Sequence, residues 1–391
     1  MVLVSGKGGV GKTTVAAATG LKAARAGHRA LVVSLDRAHN LGDVLGVKLG
    51  ASPREVPGAA GLSAMEADPQ AELSAHAEAL QGYFARLLEW AGMGGAQADE
   101  IAVLPGLEEL LVLSRLAELC ESDAADVVVV DLAPTASSLR LLAFPEMMAG
   151  PLGKLVEWER RFLRIARGAM KKVSSAPLPE EATYEAIDAI AKRLGRLKEV
   201  LADGSRAIVR LVSIPERVVL DETRSAYTLL SLFGLSVDAV VLNRVLPPSL
   251  RGSYLDGWLD IQAREMARAR EEMVGLALRP VGFQPAEVIG VQALDRVGDE
   301  IYEGRDPAQA FAEVAPMRFE ESEGTMSLAL RLPLVSPGGI DLRQTDAELI
   351  VTVGAWRRQI LLPTSLHGRA VTAARLSGGT LRIVFEPRKE Q

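Results

Sequence analysis

Cysteine is almost absent: Cys120 is the sole thiol among 391 residues. One thiol excludes an internal disulfide and a cysteine-built metal site within a single chain. It fits a reducing compartment, and its place at the end of a helical stretch suggests that it fills core space. Long apolar runs are missing too. The opening run Met1–Val4 stops at a glycine-rich segment, which is not the pattern of a secretory signal. No uninterrupted apolar stretch reaches the roughly 20 residues that span a membrane, so a soluble, cytoplasmic protein is expected. Basic charge is not in excess either: 44 Lys and Arg stand against 50 Asp and Glu, a net charge of −6. No nucleic-acid partner is expected from that balance. What remains is ordinary globular composition, 48% apolar and 24% charged, in a chain too long for one ordinary core. Two or three domains are expected.

Most of the chain alternates apolar strands with helices. Val2–Val4 reads as a short buried strand, and Lys12 to Ala26 as a helix with Val15, Ala18, Leu21 and Ala24 at helical spacing. Gly27 ends it. "RALVVSLD", closing at Asp36, "LSAMEAD" from Leu62, "DVVVVDLAP", "RAIVRLVS" from Arg206 and "DAVVLNRV" from Asp238 read as further strands. Four valines in a row suit a strand buried on both faces. The fold class is therefore α/β, a parallel twisted sheet flanked by helices. Two stretches, about 69–122 and 145–204, exceed what crossovers need and predict a helical insert layer. Their apolar residues, among them Leu80, Phe84, Trp90, Met148, Trp158 and Phe162, either pack against one another or line a groove for an apolar client.

The pattern changes near residue 316. "MRFEESEGT" from Met317 reads as an acidic, glycine-bearing linker (317–325) that closes a first domain of residues 1–316. Beyond it, in 326–391, short alternating runs are separated by "SPGG", "SLHG" and "SGG". Leu328, Leu330 and Leu332 share one face, as do Leu381, Ile383 and Phe385. The expectation is a small all-β sandwich.

The chemistry concentrates in "GKGGVGKT", Gly6–Thr13, which fits G-x-x-x-x-G-K-[ST] between a strand and a helix. Gly6, Gly8, Gly9 and Gly11 let the backbone N–H groups, together with those of Val10 and Thr14, wrap phosphates at a helix N-terminus. Lys12 is expected at the β- and γ-phosphates and Thr13 at Mg²⁺. ATP and Mg²⁺ are the expected cofactors. Lys7 has no task within one subunit's cradle.

A lysine at that position resembles the signature lysine of the deviant Walker A ATPases. The resemblance implies a homodimer in which Lys7 reaches the partner's nucleotide, as an arginine finger does. Within that class, "SLDRAHNLGDVLG" from Ser34 resembles switch I of the arsenite-pump and tail-anchored-protein targeting ATPases. Asp36 matches the aspartate that orients or activates the attacking water, and His39 and Asn40 match switch positions. Arg37 stands where the family usually has proline. "DLAPTASSLRLL" from Asp131 resembles switch II, which implies that Asp131 holds Mg²⁺ through water. Leu132, Ala136 and Ser137 depart from the family pattern. Asn243, in "VLNRVLPP", matches the asparagine that reads adenine, and "GFQPAEV", with Phe283 and Pro285, stands where the adenine loop belongs. The C-terminal runs resemble the α-crystallin-type sandwich appended to some bacterial and plastid members.

The resemblance covers about residues 1–310 and implies a Mg²⁺-dependent ATPase whose dimer opens and closes a helical surface, binding or targeting hydrophobic protein segments. It leaves any membrane receptor unidentified. Two alternatives stay open: an ATPase associated with anion or arsenite transport, and a holdase chaperone that ignores nucleotide. Cys120 alone supplies neither the C-x-x-C of a zinc clamp nor the several thiols that bind a metalloid.

Overall fold

The computed structural model describes residues 1–36, 40–67, 107–133, 181–312, 315–322 and 325–387. Arg37, His39, Ala136, Ser137 and most of both helical inserts, including Leu80, Phe84, Trp90, Met148, Trp158 and Phe162, lie outside the described residues.

The central sheet has eight strands: β1 (Val2–Gly6), β2 (Ala30–Ser34), β3 (Arg54–Glu55), β4 (Leu62–Glu66), β5 (Val127–Asp131), β6 (Ile208–Ser213), β7 (Val237–Val245) and β8 (Ala277–Gly282). Their order is β3-β4-β2-β5-β1-β6-β7-β8. Every neighbouring pair is parallel except β3 with β4. Period-two alternation inside the apolar runs decides which face each side chain serves. Val2, Val4, Val32, Val127 and Val129 enter one core, while Leu3, Leu31, Val33, Val128 and Val130 enter the other. Two buried faces need two helical covers. The first is α1 (Lys12–Arg25), α2 (Leu41–Leu45) and α7 (Val291–Tyr302). The second is α3 (Leu107–Glu121), α4 (Glu181–Ala202), α5 (Arg217–Leu232) and α6 (Asp256–Glu272). The described ends of the two inserts thus serve the core: Leu113 and Leu116 of α3 and Leu194 and Leu197 of α4 are buried together on the sheet.

The C-terminal domain is all antiparallel. One sheet runs β14-β15-β10-β9 and the other β11-β12-β13, with β9 (Met317–Ser322), β10 (Thr325–Arg331), β11 (Ile340–Gln344), β12 (Glu348–Val353), β13 (Trp356–Leu361), β14 (Arg369–Ser377) and β15 (Thr380–Pro387). Leu328, Leu330, Leu332, Leu381, Ile383 and Phe385 are buried, and they meet Leu349, Val351 and Ile360 of the facing sheet in one core. Residues 317–322, expected as linker, are strand β9, paired with β10. Its Met317 and Phe319 pack on the core while Arg318 is exposed, the alternation of an edge strand carrying charge outward.

This sandwich is seated on the C-terminal half of α5. Thr228 donates to Pro333 O at 2.5 Å, Arg331 Nε to Tyr227 Oη at 2.9 Å, and the buried Arg358 to Leu232 O at 2.5 Å. Phe233 and Trp356 meet edge to face at 6.3 Å. Among the described residues no helix is long and apolar enough to cross a membrane.

Candidate active site

Sheet order creates the site. β1 lies between β5 and β6, so the loop after β1 opens at the C-terminal ends of the parallel strands, where α/β sheets bind ligands. The loop needs glycine at two positions for stated reasons. A Cβ on Gly6 would lie 2.2 Å from Val212 O of β6, and one on Gly11 would lie 2.4 Å from Asn243 Nδ2 at a φ of 98°. Gly8 and Gly9 are exposed at the tip, Val10 is buried, and Thr13 and Thr14 are half-buried. α1 begins after Gly11 with no side-chain cap and no acidic residue in its first turn. Its first N–H groups are therefore left for an anion, with the helix dipole adding to the attraction.

Lys12 is buried, and its ammonium donates to Lys7 O at 3.3 Å. Burial lowers its pKa below the ordinary lysine value, against the charges of Asp131, Asp36 and Glu222. A buried cation inside a loop of N–H donors is placed to meet a phosphate.

The carboxylates of Asp36 and Asp131 converge because β2 and β5 are neighbours. Ser34 at the end of β2 is in register with Asp131 at the end of β5, and Asp36 follows Ser34 by two residues. Ser34 Oγ donates to Asp131 Oδ2 at 3.3 Å and also receives the Asp36 N–H at 3.3 Å. Burial pushes the Asp131 carboxyl up to about 6; hydrogen bonds from Thr13 and Ser34 and the charge of Lys12 oppose the rise, and Asp36 adds to it. Asp131 Oδ1 is buried without a hydrogen-bond partner. An orphaned carboxylate oxygen beside the Thr13 hydroxyl fits the oxygen-rich demands of Mg²⁺, and a bound cation would favour the ionised form that burial opposes.

Asn243, near the end of β7, donates to Val10 O at 2.8 Å and accepts from the Arg244 N–H at 2.9 Å. The predicted adenine reader is therefore tied to the phosphate loop. Phe283 follows β8 and is tethered through its N–H to Val245 O at 2.8 Å; its ring is exposed, as is Pro285. Lys7 pairs with Glu222 of α5, Nζ to Oε2, at 3.1 Å. Sequence reading passed over Ser34 and Glu222. Ser34 could have been suspected from its place at a strand end beside Asp36. Glu222 lies in a helix far along the chain and carries no local signal.

Comparison with known proteins agrees with this arrangement. Residues 1–303 match the family described as anion-transporting ATPase, and residues 323–385 match the HSP20-like domain found in ArsA. A protein of Chlorobaculum tepidum with the provisional name arsenical pump-driving ATPase is 32% identical over 99% of this chain and 96% of its own length. An uncharacterised protein of Streptomyces coelicolor is 34% identical over 100% of this chain and 98% of its own. The ATPase get3 of Sclerotinia sclerotiorum is 30% identical over 65% of this chain and 74% of its own. The phosphate loop, its two converging carboxylates and these matches lead to one conclusion: the chain belongs to the anion-transporting ATPase family and is an ATPase.

Proposed function

We propose that the chain is a homodimeric, Mg²⁺-dependent ATPase in which Lys7 of each protomer serves the triphosphate held by the other. Nucleotide state then opens and closes a helical surface that binds hydrophobic protein segments. The observation that carries the reading is the division of labour between the two loop lysines. Lys12 is buried inside its own cradle, whereas Lys7 is part-exposed at the rim.

In this mechanism the N–H groups of Gly6–Thr14 and the Lys12 ammonium bind and orient the phosphates of ATP. Asn243 and the segment holding Phe283 and Pro285 bound the base. Thr13 and Asp131 hold Mg²⁺, which when bound supplies positive charge to the phosphate oxygens. Asp36 receives a proton from the attacking water or orients it toward the γ-phosphorus. Lys7 of the opposite protomer meets the charge that moves onto the bridging oxygen. The domain division near residue 316 would place catalysis in the first part and leave the sandwich, seated on α5, as an appended unit.

Asp36→Asn is the direct test. It should leave ATP-driven dimerisation intact and lower turnover by about 10²–10⁴-fold; undiminished turnover would remove Asp36 from the mechanism.

A second reading, thiol-based arsenite transport, meets a specific obstacle. Burial pushes the Cys120 thiol up to about 11, and its Sγ lies 3.5 Å from Met1 Sδ. A thiol so protonated is a poor metalloid ligand.

A further inference from the structure

Lys7 is not idle in the single chain. Its Nζ lies 3.1 Å from Glu222 Oε2, with 37% and 39% of the two side chains exposed. Glu222 sits in the second turn of α5, and its charge is felt by Lys12 as well. A carboxylate close enough to act on both loop lysines is an unfavourable neighbour for a triphosphate, since like charges disfavour one another. Lys7 neutralises it. Glu222 also lines a groove of about 800 Å³ between α5, α6 and the sandwich, together with Arg268, Glu272 and Trp356. It thus joins the rim of the phosphate loop to the helix on which the C-terminal domain is seated.

We infer that Glu222 is a positioning residue: it holds Lys7 in cis above its own phosphate loop in the free chain and gives it up when the ATP-loaded partner docks. The inference rests on the reading of Lys7 as a lysine used across the interface. Pairing in cis keeps each rim neutral, so a nucleotide-free chain presents no uncompensated lysine to its twin. ATP reverses the balance, because the partner's polyphosphate attracts Lys7 more strongly than one carboxylate does. The latch is weak by design of its surroundings. Part-exposed ion pairs contribute little, and breaking two of them per dimer shifts the dimer equilibrium by about 2- to 30-fold.

The test is sedimentation of the full chain with Mg²⁺ and a non-hydrolysable ATP analogue, for the native protein, Glu222→Gln and Glu222→Asp. Glu222→Gln should dimerise at a concentration about 2- to 30-fold lower than the native chain at low salt, and the difference should shrink at high salt. Glu222→Asp keeps the charge and should behave like the native chain. Turnover per dimer should change little in Glu222→Gln, while KM for ATP falls. Lys7→Ala should bind the analogue more weakly, because the Glu222 charge beside the loop is no longer offset by Lys7, and Lys7→Ala with Glu222→Gln should recover binding without recovering turnover.

Unchanged or weaker dimerisation of Glu222→Gln, with an unaltered thermal melt, would overturn the latch. If Lys7→Ala alone kept the native rate as a monomer, the reading of Lys7 in trans would fall first. Full turnover in the double variant would mean that Lys7 only masks Glu222 in cis, which also ends that reading. Absence of a dimer in every variant would remove both together.

Discussion

Replacing Asp131 by Asn should make the nucleotide-free chain more stable while abolishing its Mg²⁺-dependent turnover. The carboxyl is fully buried at the end of β5, and burial moves it from 3.8 to about 6. The folded chain therefore holds the proton more firmly than the unfolded chain does, and ionising Asp131 costs stability. That cost is absent below pH 3.8, grows as pH rises through the window up to 6, and levels off above it at ~3 kcal/mol. Asparagine carries no such cost and still accepts from Ser34 Oγ. In urea unfolding, Asp131→Asn should exceed the native chain by ~1–2 kcal/mol at about pH 5 and by ~3 kcal/mol at about pH 8. Mg²⁺ with ATP should stabilise the native chain more than the variant, which keeps the phosphate-binding loop and Lys12 but loses one Mg²⁺ ligand. An equal stability gap at both pH values would refute the claim that burial charges this carboxylate at a cost.

Two further outcomes follow from the geometry. Gly11→Ala forces a side chain into a φ of 98° and to within 2.4 Å of Asn243 Nδ2; it should cost about 1–3 kcal/mol, seen in the thermal melt, and raise KM for ATP by displacing Asn243. Arg358→Ala removes the buried bond to Leu232 O and should destabilise the seat of the sandwich by about 1.5–3 kcal/mol. Limited proteolysis should then cut between α7 and β9, the connection to the sandwich, sooner than in the native chain.

Several features are legible in the sequence alone. The loop "GKGGVGKT" declared itself because a strand precedes it and a helix follows, and the valine run of β5 did so because a strand buried on both faces tolerates little else. The facing leucines of the sandwich were legible for the same reason of period. Other elements were hidden by physical circumstance. β8 reads "ALRPVG", with Arg279 and Pro280 in its middle, a composition tolerated only because it is the sheet's edge. β3 is two exposed residues, Arg54 and Glu55, too short for any pattern. "MRFEES" looked like linker because an edge strand carries charge on its outer face. Asp131 and Asp36 could be named from their strand ends, yet their convergence depends on β2 and β5 being neighbours, which no local window records. Glu222 is the extreme case: its importance arises only when the start of α5, packed on β6, meets Lys7 in the loop after β1.

The claim that one protomer's Lys7 serves the other's ATP is tested most directly by mixing two inactive chains. Lys7→Ala keeps a nucleotide site, weakened by Glu222 and filled at saturating ATP, and lacks the donated lysine; Lys12→Ala lacks the site and keeps Lys7. Mixed in equal amounts with Mg²⁺ and ATP, they should hydrolyse ATP well above the sum of their separate rates, because the Lys7→Ala site then receives its lysine from the Lys12→Ala partner. A mixture no faster than that sum, beside dimers shown to exchange subunits, would contradict the account.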